Sequence, residues 1–217
     1  VLAGPGSGKT AVITGRTCQL TASGISASRI LVVTFTRAAA KEMKERYLKA
    51  MGKTSTQVTF GTFHGVFYAI LRHTYRMSGN NILSEEEKKR LMRELVNHYA
   101  RDLEEEDLEE NLAREISTVK NNQIPLEHYY SACMPQEKFR EIYEAYEKWR
   151  KENKKLDFDD LMVQCKRLFL ERPEVLRAWQ QKFQYILIDE FQDISPAQYE
   201  IVRMLALPEN NLFIVGD

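Results

Sequence analysis

Apolar and polar positions along the chain follow two different periods. Short β-rich runs predict strands over residues 30–33, 57–60, 185–188 and 212–215. Before the first of these runs, and after each of the first two, apolar residues recur three and four positions apart. This spacing predicts helices over 11–22, 38–50 and from Gly61 onward. Strands that alternate with helices predict an α/β fold with a parallel sheet and helices on both faces.

The middle of the chain has a different character, because charged helical patterns replace the strand-like runs. Ser84, followed by three glutamates, predicts a helix N-terminus. An acidic cluster over 102–110 is expected to be a solvated loop or helix face. We therefore expect a sheet domain formed by residues 1–83 and 156–217, with an inserted all-helical subdomain formed by 84–155.

An aromatic stripe marks the predicted helix after Pro135. Its members follow helical spacing: Phe139, Ile142, Tyr143, Tyr146 and Trp149. A stripe of this kind is more often packed core than a platform for stacking bases, and we interpret it as core, with base stacking as the alternative. Beyond the insertion, Asp157 is expected to cap one helix and Pro173 to begin another.

Composition limits the classes of protein that fit this chain. Its 217 residues carry a formal net charge of zero, so a nucleic-acid surface has to be a local groove. Cys18, Cys133 and Cys165 form no C-x-x-C pair, which argues against disulfides and metal–thiolate sites and favours the cytoplasm. No apolar run reaches membrane-spanning length, so no membrane partner is expected. Both ends fall in or beside apolar runs and are expected to be edges of a longer protein.

A glycine-rich stretch, Ala3-Gly4-Pro5-Gly6-Ser7-Gly8-Lys9-Thr10, lies just before the first predicted helix. It matches the phosphate-binding pattern G-x-x-x-x-G-K-[ST] except at Ala3, where the pattern has glycine. The residues expected to bind the nucleotide, through backbone N–H groups and the helix dipole, are Gly4, Gly6, Ser7, Gly8, Lys9 and Thr10. Lys9 would lie between the β- and γ-phosphates of ATP, and the Thr10 hydroxyl would bind Mg²⁺. The alternative is a Gly/Ser-rich loop without chemistry.

Two carboxylates follow the apolar run 185–188. Ligands of open α/β sheets bind where the strands end, so Asp189 is expected beside Thr10, holding Mg²⁺ through water. Glu190 is expected to accept the proton of the water that attacks the γ-phosphate. By itself the pair could be an acidic turn after a strand. Together with Lys9-Thr10 it predicts a site for ATP hydrolysis.

The motifs taken together resemble the UvrD/Rep family of superfamily 1 DNA helicases. The matching stretches are, in order, residues 3–10, 33–43, 61–64, 70–72, 157–161, 188–193 and 215–217. The sequence Asp-Glu-Phe-Gln-Asp at 189–193 distinguishes this family from Asp-Glu-Ala-Asp RNA helicases. The resemblance implies two RecA-like domains with ATP between them. This chain would be the first of these, a P-loop NTPase domain with its helical insertion, and the second would lie in cis outside it.

The resemblance also implies a surface for single-stranded DNA. The residues assigned to it are Thr34, Phe35, Thr36, Arg37, Thr62, Phe63 and His64. Phe35 would stack on a base, and Gln192 would lie near the γ-phosphate and couple hydrolysis to movement. Arg37 stands where the family more often has Asn, and a phosphate contact is our hypothesis for it. The alternatives are core packing for Phe35 and Phe63 and a structural imidazole for His64.

The function implied is an ATP-dependent DNA helicase that moves 3′ to 5′ on single-stranded DNA and acts at single-strand/duplex junctions. The family's adenine-reading stretch and most of its transition-state arginines lie outside this chain, so the fragment alone is expected to be nearly inactive. Two alternatives remain open. One is an ATP-switched module that binds DNA or a partner without unwinding, and the other is the motor of a helicase–nuclease subunit.

Overall fold

The computed structural model describes residues 8–77, 81–103 and 107–216. The chain forms two compact units, one made of Val1–Tyr75 with Gln164–Asp217 and the other of Arg76–Val163. No helix in the described ranges combines the length and the apolar character needed to cross a membrane.

A parallel sheet forms the centre of the first unit. Its strands are β1 (Ile30–Thr34), β2 (Thr59–Thr62), β3 (Tyr185–Ile188) and β4 (Leu212–Ile214), in the order β2-β1-β3-β4. All neighbouring strands pair in parallel. Parallel neighbours require long crossover connections, which helices supply here. The predicted α/β fold with a parallel sheet is therefore confirmed.

Helices connect the strands and build the second unit. In chain order they are α1 (Lys9–Ala22), α2 (Arg37–Met51), α3 (Phe63–Tyr75), α4 (Glu85–Tyr99), α5 (Leu108–Asn121), α6 (Gln136–Glu152), α7 (Phe158–Glu171), α8 (Pro173–Lys182) and α9 (Pro196–Ala206). The helices predicted over 11–22 and 38–50 lie within α1 and α2. The limit between the two units falls within α7.

Strand β1 is buried along its whole length, as expected for a strand covered on both faces. Ile13 of α1 and Tyr47 of α2 are completely buried and share one hydrophobic cluster with Ile30 and Val32 of β1. This packing holds α1 against the sheet.

Strand β2 lies two residues later than the sequence predicts. The expected strand covers 57–60 and the expected helix starts at Gly61, whereas β2 is Thr59–Thr62 and α3 starts at Phe63. Pairing with β1 decides the register, since Thr34 stands opposite Thr62. The Thr62 hydroxyl accepts a hydrogen bond from the Gly65 N–H at 3.1 Å, so Thr62 ends the strand and caps the helix.

A separate hydrophobic core holds the second unit together. Phe139, Ile142 and Tyr146 of α6 are completely buried, and Tyr143 and Trp149 pack against the same cluster. The aromatic stripe is therefore core, as predicted.

Helix starts in this unit follow the predicted capping. The Ser84 hydroxyl accepts the Glu87 N–H at 3.2 Å, and the Glu87 carboxylate accepts the Ser84 N–H at 3.0 Å, which makes a capping box. Asp157 Oδ1 accepts the Asp160 N–H at 2.8 Å. The acidic side chains of 102–110 that the structure describes are exposed or partly exposed, as predicted for a solvated cluster.

A buried ionic network in the second unit is not predicted from the sequence. Lys120 Nζ on α5 lies 2.6 Å from Asp157 Oδ2 and 2.8 Å from Asp160 Oδ1. Arg150 on α6 lies 2.6 Å from both Asp160 Oδ2 and Glu147 Oε2. Lys120 and Arg150 are each paired with more than one carboxylate, and Asp157 also accepts a hydrogen bond from the Tyr146 hydroxyl at 2.7 Å. Buried ions are tolerated when they are paired and hydrogen-bonded in this way.

Candidate functional site

The four strands of the sheet run in one direction, so their carboxyl ends lie along one edge. The last residues of the strands are Thr34, Thr62, Ile188 and Ile214. The predicted nucleotide and DNA residues in the described part follow these ends or begin the helices beside them. The parallel topology thus gathers segments far apart in sequence.

The end of the glycine-rich stretch turns directly into α1. Gly8 precedes the helix with φ 84° and ψ 24°, a left-handed conformation that glycine adopts without strain. Lys9 and Thr10 form the first turn, and the Thr10 carbonyl accepts the Thr14 hydroxyl at 2.8 Å. The predicted phosphate-binding residues Gly4, Gly6 and Ser7 lie outside the described residues.

Lys9 and Glu190 meet although 181 positions separate them in the sequence. The Lys9 ammonium donates to Glu190 Oε2 at 3.0 Å. The Lys9 side chain is 10% exposed and that of Glu190 37%. The two halves of the predicted hydrolysis site therefore occupy one place at the sheet edge.

Asp189 follows β3 and is only 4% exposed. Its N–H donates to the Val33 carbonyl of β1 at 3.0 Å, which holds the residue at the sheet edge. Burial raises the pKa of the Asp189 carboxyl, and the charge of Glu190 raises it further, against smaller opposing effects of the Glu190 N–H and of Lys9. The Oδ1 atom is buried and has no hydrogen-bond partner among residues 8–77, 81–103 and 107–216.

This buried carboxylate fits a divalent cation. Mg²⁺ in phosphate sites uses one or two protein ligands and completes its shell with water and phosphate oxygens. The chain offers two such ligands, the Asp189 carboxylate and the Thr10 hydroxyl, which agrees with this small number of protein ligands. The described part of the chain contains no cluster of three or more carboxylate, His or Cys side chains that could hold a metal.

Glu190 is held by two donors on one oxygen. Besides Lys9, the Gln192 Nε2 donates to Glu190 Oε2, at 2.7 Å. Glu190 has φ 51° and ψ 50°, a conformation uncommon for a residue with a side chain, and a short 3-10 helix over Phe191–Asp193 follows it. A strained backbone conformation of this kind persists only where the surrounding structure holds it in place, and residues of this kind cluster at functional sites.

Phe35 and Phe63 are in contact but differ in exposure. Their ring centroids lie 5.3 Å apart at 55°. Phe63 is 1% exposed and also contacts Phe67, so its ring belongs to the core and packs against the buried side of Phe35. Phe35 is half-buried and retains a surface that a base could cover. Packing against Phe63 and stacking on DNA are therefore compatible for Phe35.

The other residues predicted to contact DNA surround two helix starts. Thr36 caps α2 by accepting the Ala39 N–H at 3.1 Å, and Arg37 beside it is exposed. Thr34 is 2% exposed. His64 is partly exposed in the first turn of α3, the helix capped by Thr62. Each helix start presents N–H groups and the positive end of its dipole to the same edge.

Comparison with known proteins agrees with this geometry. The UvrD/REP helicase N-terminal domain family matches residues 1–217. YjcD of Bacillus subtilis (strain 168) is 40% identical over 224 residues. The ATP-dependent DNA helicases PcrA of Leuconostoc citreum and of Staphylococcus aureus (strain Mu50) are 36% identical over 225 residues and 34% identical over 228 residues.

These alignments cover 100% of this chain but only 29% of YjcD and 30% of each PcrA. The chain thus spans about three tenths of the length of these relatives. Together with the parallel sheet, the family match confirms the predicted RecA-like P-loop fold class.

Proposed function

The chain belongs to the UvrD/REP helicase family, and from this premise we propose that it is the ATP-binding part of a DNA helicase that moves 3′ to 5′ on single-stranded DNA. The observation that carries the proposal is the contact of Lys9 with Glu190 at 3.0 Å. This contact supports a site at one sheet edge in which Lys9 binds phosphate, Glu190 acts as the base and the buried Asp189 carboxylate holds a metal ion.

We propose that Thr10 and Asp189 hold Mg²⁺, directly or through water. The ion, when bound, neutralises charge on the β- and γ-phosphates. Lys9 would exchange its contact with Glu190 for the phosphates when a nucleotide binds. Glu190, released from the ammonium, would then accept the proton of the attacking water, and the Gln192 carboxamide would keep its carboxylate oriented.

The DNA surface in this proposal comprises residues 34–37 and 62–64, where the buried side chains of Thr34 and Phe63 support the more exposed ones. Phe35 would stack on a base, while the helix starts and Arg37 would bind phosphates of the strand. Strand β1 lies between β2 and β3, and Val33 pairs with Ile188 directly before Asp189. This adjacency supports a short physical route from the nucleotide to the DNA surface.

We further propose that the chain consists of the first RecA-like domain and its inserted helical subdomain, with the limits 83/84 and 155/156 expected from the sequence. The two compact units divide at 75/76 and 163/164 instead. A second RecA-like domain in cis would supply transition-state arginines, and single-strand/duplex junctions would be the substrate. Cys18, Cys133 and Cys165 form no C-x-x-C pair, which supports a cytoplasmic location.

The central test measures ATP hydrolysis by the full-length protein with Mg²⁺, with and without single-stranded DNA. We expect DNA to stimulate the rate, and Glu190→Gln to lower it at least about 100-fold because the general base is lost. Glu45→Gln, which changes an exposed carboxylate on α2, serves as the control. A rate indifferent to DNA would refute the helicase and favour an ATP-switched binding module.

Direction of movement needs a separate measurement. Duplexes with either a 3′ or a 5′ single-stranded tail would be offered to the full-length protein with ATP. We expect unwinding of the 3′-tailed duplex only. Equal unwinding of both, or preference for the 5′ tail, would contradict the proposed direction without touching the assignment of the hydrolysis site. Cleavage of the DNA in the same assay would indicate the motor of a helicase–nuclease subunit.

A further inference from the structure

Gly216 lies where the end of β4 passes very close to the Glu190 turn. A methyl group on its Cα would lie 2.7 Å from Gln192 Oε1 and 3.2 Å from both the Cβ and the backbone nitrogen of Phe191. Its φ is outside the left-handed region, so backbone conformation does not require glycine here. The constraint is space: Gln192 Oε1 makes the shortest contact, and the two Phe191 atoms lie slightly farther away.

The carboxamide of Gln192 has two ends with different neighbours. Its oxygen lies against Gly216, and its nitrogen donates to Glu190 Oε2 at 2.7 Å. The same Glu190 oxygen accepts the Lys9 ammonium at 3.0 Å. Because the carboxamide is rigid and planar, displacing its oxygen also moves the nitrogen away from Glu190.

Backbone hydrogen bonds hold the surroundings in place independently of this carboxamide. The Phe191 N–H donates to the Val215 carbonyl at 3.0 Å, and the Val215 N–H donates to the Ile188 carbonyl at 2.9 Å. The one contact below 3.0 Å is with the far end of the exposed Gln192 side chain, which can swing into solvent. An alanine at 216 would therefore displace the Gln192 side chain, whereas the Phe191 atoms at 3.2 Å would have to shift by only a few tenths of an ångström.

We propose that Gly216 is a positioning residue for ATP hydrolysis. Its missing side chain admits the Gln192 carboxamide, which orients the Glu190 carboxylate. This inference rests on the proposed role of Glu190 as general base. It assigns to the end of β4 a function in the hydrolysis site, although Gly216 itself contacts neither substrate nor metal.

The test compares Gly216→Ala with the parent in the full-length protein. We expect the kcat of DNA-stimulated ATP hydrolysis to fall by about 10- to 100-fold, the scale of a misplaced catalytic group. The KM for ATP should stay within about twofold and the Tm within a few degrees, because binding and fold are untouched. Gly15→Ala is the matched control, since a methyl group there meets no atom within 4 Å.

A second pair of variants separates positioning from a general structural effect. In a Gln192→Ala background, the added Gly216→Ala change should have no further effect on kcat, because the carboxamide it displaces is already gone. The inference is overturned if Gly216→Ala leaves kcat unchanged, or lowers it equally in both backgrounds. If Glu190→Gln keeps its rate, the proposed function fails; if only Gly216→Ala is silent, the inference alone fails.

Discussion

At the residue scale, Asp189 combines burial with an oxygen that no group in the described part of the chain binds. Without a cation this costs stability, because an unsatisfied buried polar atom costs about 1–3 kcal/mol. We predict that Asp189→Asn raises the Tm by a few degrees in the absence of Mg²⁺ and nucleotide, since the buried negative charge disappears. Differential scanning fluorimetry measures this change.

The same variant should lose the stabilisation that Mg²⁺ with a nucleotide gives to the parent. Asp193→Asn, an exposed carboxylate four residues later, should behave like the parent in both conditions. A lower Tm for Asp189→Asn without metal, together with an undiminished response to Mg²⁺ and nucleotide, would contradict Asp189 as a metal ligand.

Phe35 presents the second prediction at this scale. Stacking of a base on an aromatic ring contributes about 1–3 kcal/mol. Phe35→Ala should therefore weaken binding of an oligothymidine by roughly 5- to 150-fold. Fluorescence anisotropy on the full-length protein measures the Kd, and the basal ATPase without DNA should change little.

Tyr75→Ala is the matched control for Phe35, because Tyr75 is a half-exposed aromatic residue at the other end of α3. Its removal should leave the Kd for DNA unchanged. An unchanged Kd for Phe35→Ala would mean that the ring only packs on Phe63, and the DNA surface over 34–37 would have to be abandoned.

Individual residues differ in how far the sequence could predict them. Lys9, Asp189 and Glu190 are predictable because each belongs to a motif whose spacing is set by the chemistry of phosphate binding. The burial of the Phe63 ring is not, because the motif around it is compatible with either exposure. The contact of Lys9 with Glu190 depends on side-chain conformations that no local pattern specifies.

At the scale of elements, the capping box of α4 gives a prediction about pH. The Lys155 ammonium, with the Ser84 N–H, lowers the pKa of Glu87 from its ordinary 4.5 to about 2. The folded-state pKa lies below the unfolded value, so the carboxylate stabilises the fold above about pH 4.5. That contribution is lost as the pH falls towards 2.

Glu87→Gln should accordingly lower the free energy of unfolding by about 1 kcal/mol at pH 7. The difference from the parent should narrow at pH 3, where part of the parent's advantage is already gone. Urea unfolding followed by circular dichroism measures both values. Glu86→Gln, an exposed neighbour in the same helical turn, is the control and should show a smaller effect at pH 7; equal effects of the two variants would refute the argument.

Local and distant interactions explain which elements the sequence predicts correctly. Helix caps such as Ser84 and Asp157 act within three residues, so the sequence around them is sufficient. The position of β2 depends on pairing with β1, which shifts it by two residues. The partners of Lys120 in the buried ionic network lie 27 to 40 positions after it in the chain. In the sequence its charges therefore cannot be distinguished from ordinary solvated ones.

At the scale of the whole molecule, the proposed function assigns one side of a nucleotide site to this chain. In that proposal Lys9 binds phosphate, Thr10 and Asp189 hold the metal, and Glu190 is the base. The chain spans about three tenths of the length of these relatives, and the proposed function assigns the remaining catalytic groups to a second domain in cis. The fold class was predictable from the sequence because the alternation of strands and helices that determines it lies within this chain.

The proposed second domain can be tested by comparing ATP hydrolysis by the isolated chain and by the full-length protein. An arginine supplied to the transition state accelerates phosphoryl transfer by about 10³ to 10⁵. The isolated 217-residue chain should therefore hydrolyse ATP at least about 1,000-fold more slowly than the full-length protein, and DNA should not stimulate it. Phosphate release measures both rates, and the same chain with Glu190→Gln reports contaminating ATPase. DNA-stimulated turnover near the full-length rate would place the whole catalytic apparatus within this chain, because no second domain would then be needed to stabilise the transition state.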